Sequence, residues 1–264
     1  MLRLFFIAGL LLSSFYLSAQ PYPINLTPQQ AEAMGMLIWK NEGQQKLQHL
    51  TTWNQNEDFP SLGLGHFIWY PTAKKGPFKE QFPELLQYLQ KQGVVLPHWL
   101  LLSKQAPWKN REQFYREFDQ PQLTELRLLL SKYLDLQVQF IIKRLENGIP
   151  LILADSNATE KKVIHFQLAR LTATPEGLFV LLDYINFKGE GLSPKERYQG
   201  QGWGLKQVIL TMPLEYDNVL RAFALSADEV LTRRVKNAPK DERQWLNGWR
   251  VRLQGYQNMI NYTK

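Results

Sequence analysis

From about residue 80 to the C-terminus, apolar side chains recur with the helical period, and this repeat constrains the fold more than any other feature of the chain. Helices are predicted over Pro83–Gln92, Gln122–Glu146, Glu160–Leu171, Glu176–Phe187 and Tyr216–Val235. In the last of these, Val219, Leu220, Phe223, Ala227, Val230 and Leu231 form one stripe. An earlier helix is signalled by Thr27-Pro28-Gln29-Gln30: Thr as N-cap, Pro at the first helical position and Gln three residues after the cap. It should run to about Asn41 and stop at Gly43. Residues 47–70 differ. Thr51, Thr52, Trp53, Phe59, Phe67, Ile68, Trp69 and Tyr70 favour strands, and Asn54–Asp58, Pro60, Gly63 and Gly65 supply turns. The expectation is an α+β architecture, predominantly helical, with a small N-terminal β-hairpin sheet and a large helical lobe.

The first residues read as an export signal. Arg3 precedes the apolar run Leu4–Leu12, and Leu17-Ser18-Ala19 offers a small residue at a cleavage point before Gln20. Residues 1–19 are therefore expected to be a signal peptide, against the rival reading of a membrane anchor, for which the run is short. Residues 20–264 are expected to form one domain, in which 72–170 is a helical insertion of unknown role. The chain has no Cys, which excludes disulfides and lipid-modified cysteine and fits a bacterial periplasm or secretion from such a cell. No later run is apolar and long enough to span a membrane, and the expected state is a monomer. A net charge of +7 suits an anionic partner without naming one.

Glu42 lies in the last turn of the first helix, four residues after Ile38 and eight after Met34, so it shares their inward face. Desolvation and the negative end of the helix dipole would both raise its pKa. A carboxyl that stays protonated near neutral pH is the general acid that glycoside hydrolysis requires.

Asn41-Glu42-Gly43, then Leu50-Thr51-Thr52-Trp53-Asn54-Gln55, then Ser61-Leu62-Gly63-Leu64-Gly65-His66 resembles the phage-type lysozymes of glycoside hydrolase family 24. Leu181–Gly191 and Trp245–Tyr256 are similar to that family's central helix and final segment. The resemblance implies a lysozyme-like fold, cleavage of β-1,4 bonds between the amino sugars of peptidoglycan, Glu42 as acid, and no cofactor. The family's catalytic Asp falls on Gln55, which carries no charge. Glu57 and Asp58 on the same turn are the replacements considered, and Ser61 keeps the hydroxyl that orients water. A base holding water across the scissile bond would stand roughly 6.5–9.5 Å from the acid, giving inversion. His66 reads as a residue bonded within the hairpin, with a base, a metal ligand or a substrate contact as the alternatives. Trp53, Phe67, Trp69 and Tyr70 are candidate sugar platforms, of which at least half should be core.

A second candidate segment is Gly189–Gln207. Glu190 follows a helix, and Gly202-Trp203-Gly204-Leu205-Lys206-Gln207 loosely resembles the Gly-Leu-Met-Gln motif of lytic transglycosylases. That resemblance implies Glu190 as a single acid. Arg197, Tyr198, Trp203 and Gln207 are expected substrate contacts, and Glu196 with Arg197 a local ion pair or further contacts. The four His show no metal-ligand spacing, so no metal is expected. No phosphate loop, dinucleotide fingerprint or nucleic-acid module is present. The partner expected is peptidoglycan or a related amino-sugar polymer, with no nucleic acid. A wall-binding or inhibitory protein that kept the cleft and lost the base is the non-enzymatic alternative, motivated by Gln55.

Overall fold

The structure is a computed structural model. It describes Ile24 and residues 28–43, 46–72, 74, 76 and 78–261, without the side chains of 28, 31, 32, 40–43, 260 and 261. Residues 1–19, the expected signal peptide, lie outside the described residues. The chain is 63% helix with a small antiparallel sheet, as an α+β reading requires.

Helix α1 (Pro28–Gly43) is followed by a 3₁₀ turn at Leu47–Leu50 and three two-residue strands, β1 (Thr51–Thr52), β2 (Ser61–Leu62) and β3 (Phe67–Ile68). They pair antiparallel in chain order, with Thr51 opposite Leu62 and Leu62 opposite Phe67. The β2–β3 connection needs a left-handed residue, and Gly63 supplies it at φ 78°. Helices α2 (Phe82–Lys91), α3 (His98–Leu102) and α4 (Arg111–Arg116) come next. The predicted 122–146 helix is two: α5 (Pro121–Lys132) and α6 (Leu134–Ala154), broken at Tyr133 (φ −118°, ψ 45°). α6 continues through Pro150 to Ala154, because burial of Ile149 and Ile152 outweighs the one backbone hydrogen bond that proline removes.

Then come α7 (Ala158–Thr172) and α8 (Pro175–Lys188). Every residue of α8 from Gly177 to Asn186 is buried, which makes it the central helix of the lobe. Its buried Asp183 accepts from the Tyr256 hydroxyl, and Arg252 Nε lies 3.7 Å away. Strands β4 (Arg197–Tyr198) and β5 (Gln201–Gly202) form a separate hairpin before α9 (Leu205–Thr211), α10 (Val219–Asn237) and α11 (Arg243–Gln257). One continuous apolar core runs from Met34 to Met259. It includes Phe82, Leu123, Ile141 and Ile164, so segment 72–170 is built into the domain and is no appendage.

Candidate functional site

Two buried amides clamp the β2–β3 loop onto the helical lobe. Gln137 Oε1 on α6 accepts from the Leu64 backbone N–H at 2.8 Å, and its Nε2 donates to the Leu130 and Tyr133 carbonyls. Asn186 Nδ2, in the last turn of α8, donates to the Gly65 carbonyl at 3.0 Å. The Gly-x-Gly-His turn is thereby fixed against the end of the helix that leads into Glu190.

Gly189 ends α8 in a left-handed conformation at φ 74°. The backbone of the next residues is then fixed by the start of α9: Leu205 N–H donates to the Gly189 carbonyl (2.9 Å) and Lys206 N–H to that of Glu190 (3.1 Å). Position 204 tolerates no side chain, because a Cβ there would run into the Gly191 backbone. Gln207 braces the same loop, accepting from Gly204 N–H and donating to the Gly191 carbonyl, both at 3.0 Å.

The carboxylate of Glu190 projects toward α6, where its Oε1 accepts from Arg144 Nε at 3.2 Å. The other face of the guanidinium meets Gln81, whose amide oxygen, turned toward it, accepts from Nη1 at 2.9 Å. Gln81 N–H in turn donates to the Ile68 carbonyl of β3. A chain of polar contacts thus runs from the sheet through Gln81 and Arg144 to Glu190. Glu196 belongs to the same cluster: its Oε2 and Arg144 Nη2 lie 3.6 and 3.7 Å from the point where a Gly189 Cβ would stand.

The two carboxyls are pushed in opposite directions. Burial raises Glu190, but the Arg144 charge, hydrogen bonds from backbone and Arg144, and the Lys79 charge outweigh it, so its pKa falls below the ordinary value. For Glu196, burial raises the pKa, the negative charge of Glu190 adds to it, and Arg144, Arg234 and Lys188 only partly compensate. Glu190 is the carboxylate that keeps its charge, and Glu196 is the one that holds a proton more readily.

Helix α1 runs antiparallel to α6. Ile24 N–H donates to Glu146 Oε1 (3.2 Å), and Gly35 packs on Val138. Seven residues beyond Gly35, Glu42 lies about 10 Å further along, toward the start of α6 and the clamped hairpin. The side chain of Glu42 lies outside the described residues.

The other sequence-predicted residues lie in the hairpin and in the segment 196–207. Glu57 is half-buried and held by its turn: its Oε2 accepts from Asn54 Nδ2 (3.0 Å) and its carbonyl from the Trp53 indole N–H (2.7 Å). Asp58 is exposed and paired with Lys74. Ser61 is buried in β2, opposite Thr52 and Ile68. His66 Nε2 lies 3.2 Å from the His49 carbonyl, which ties it into the hairpin. The expected sugar platforms require correction. Trp53, Phe67, Trp69 and Tyr70 are all buried, Trp53 against Phe114 of α4, Phe67 against Phe140 of α6, Trp69 against Phe82 of α2 and Tyr70 against Phe59, which leaves no ring face for a sugar. Trp203 is likewise buried, under Tyr198 and the Arg234 guanidinium, 4.2 Å above its ring. The Tyr198 hydroxyl donates to Glu242 (2.7 Å), and the Gln207 amide is occupied by the loop, so both act as supports. Arg197 is half-buried on β4, and Glu196, expected to pair with it, faces Glu190 and Arg144.

Sequence reasoning missed Arg144, Gln81, Gln137 and Asn186. No local signal marks Arg144, Gln81 and Gln137, which reach the site from far away in the chain, whereas Asn186 lies four residues before Glu190, within the Leu181–Gly191 stretch. Comparison of the chain with protein-family models, with curated proteins and with solved structures finds no match.

Proposed function

We propose that this chain is a lysozyme-like glycoside hydrolase that cleaves the glycan strands of bacterial peptidoglycan, with Glu42 as general acid. The observation that supports it most is the Asn186–Gly65 hydrogen bond, which joins two segments 121 residues apart. Those are the two stretches whose residues resemble wall-cleaving enzymes, and here they share one wall. In this reading the substrate groove follows the hairpin from the end of α1 to the Glu190 loop.

Glu42 gives its proton to the glycosidic oxygen as the C–O bond breaks. Water adds to the anomeric carbon and yields its proton to a carboxylate of the 57–58 turn. Glu57 is better suited than Asp58, because the turn holds it, whereas Asp58 is engaged with Lys74 at the surface. Glu190 stays ionised beside Arg144 and contacts substrate or stabilises positive charge. That ionisation disfavours a transglycosylase in which Glu190 is the sole acid, since such a residue must hold a proton.

Clearing of a peptidoglycan suspension tests the assignment. Wild type should clear it, Glu42→Gln should fold and not clear it, and Glu190→Gln should retain some activity. Loss confined to Glu190→Gln would transfer the acid role there. Wild type that sediments with the wall and never clears it would favour the non-enzymatic reading.

A further inference from the structure

Between Glu84 and Glu112 the chain carries no acidic residue, while Lys91, Lys104, Lys109 and Arg111 are basic. This charge-biased stretch also brings three exposed large aliphatic side chains close together in the chain, among them Val95, the most exposed large hydrophobic of the described residues. Val95 is 88% exposed, Leu102 69% and Leu101 50%, all within eight consecutive residues. The exposure rests on a firm base. Val94, Leu96 and Leu100 alternate with them and are buried, and Val94 N–H donates to the Leu89 carbonyl. Trp99 is anchored by its indole N–H to Glu125 (2.8 Å) and packs edge-on against Trp108. Leu128, one turn from Glu125 on α5, adds a further aliphatic group at 61% exposure. The acidic neighbours are engaged: Glu125 by Trp99, and Glu84 by Lys79 at 2.9 Å.

Such a surface is costly in water unless something covers it. Three aliphatic tips between Lys91 and Lys104, with no carboxylate in the stretch to repel phosphates, match a bilayer interface in which apolar tips enter below the headgroups and ammonium groups meet them. Among the described residues no helix is long and apolar enough to cross a membrane.

We propose that the segment Gly93–Lys104 is a docking surface for an anionic lipid bilayer, seating Val95, Leu101 and Leu102 in the interface with Lys91 and Lys104 at its rim. The full chain should cosediment with phosphatidylglycerol vesicles and much less with phosphatidylcholine vesicles. Replacing Val95, Leu101 and Leu102 together by Ser should lower the partition coefficient at least about tenfold. Lys91→Gln with Lys104→Gln should lower it by a similar factor and flatten its salt dependence. These positions are exposed, so the variants should keep the wild-type circular dichroism and Tm. The N-terminal apolar run is common to all variants and cancels in the comparison. Equal binding by the Ser triple variant and wild type would overturn the proposal. So would wild-type indifference to lipid charge, or a concentration-dependent dimer lost in the triple variant without vesicle binding, which would make a second copy the occupant.

Discussion

Breaking the Arg144–Glu190 pair should cost more at neutral pH than in acid. At 3.2 Å, with an effective dielectric constant near 20, the attraction is about 5 kcal/mol. Desolvation offsets part of it, and with Arg144 12% and Glu190 25% exposed, water screens more. A net coupling of about 2–3 kcal/mol remains, or a Tm loss of roughly 5–10 °C for Arg144→Met in a domain of this size. Glu190 has a folded pKa below its unfolded value, so its contribution is complete above the ordinary carboxyl value and lost as pH falls through the depressed one. The assay is a double-mutant cycle of Arg144→Met, Glu190→Gln and the double variant, by chemical denaturation at neutral pH and again in acid. A coupling below about 0.5 kcal/mol at neutral pH, or one that does not shrink in acid, would show that Glu190 is not held as an anion.

Two further outcomes follow from the same site. Glu196 has a folded pKa above its unfolded value, so the stability it contributes is complete below the unfolded pKa and lost as pH rises through the folded one. Glu196→Gln should therefore raise Tm over wild type at neutral pH and leave it unchanged in acid, as thermal melts across pH will show. Gln137→Ala should strand the Leu64 N–H and leave a cavity, costing about 2–4 kcal/mol. In the same denaturation experiment the exposed neighbour Gln139→Ala should change stability by no more than about 0.5 kcal/mol.

Much of the scaffold was legible. α8, expected at 176–187, spans Pro175–Lys188, because Thr174 caps it and Gly189 ends it, both signals written locally. α7 begins two residues before its expected start, since Asn157 and Glu160 form a capping box. The break at Tyr133 was not legible: no Gly or Pro marks it, and the apolar period continues across it, while the chain must turn for Arg127 to reach Thr51. Site residues divided the same way. Glu190 stood out through its flanking glycines, yet Arg144, 46 residues away on α6, is one charge among several on a helix and acquires its role only through packing. Trp53 and Trp203 misled because an aromatic beside a motif looks the same in sequence whether its ring faces a groove or the core.

In the proposed reaction a wall glycan is hydrolysed beside the hairpin. The most direct measurement is a mass spectrum of the fragments released from purified peptidoglycan in ¹⁸O-labelled water. Hydrolysis should release saccharides with a new reducing end carrying the label, and Glu42→Gln should release none. Fragments ending in unlabelled 1,6-anhydro sugars, or intact strands after prolonged incubation with wild type, would contradict it.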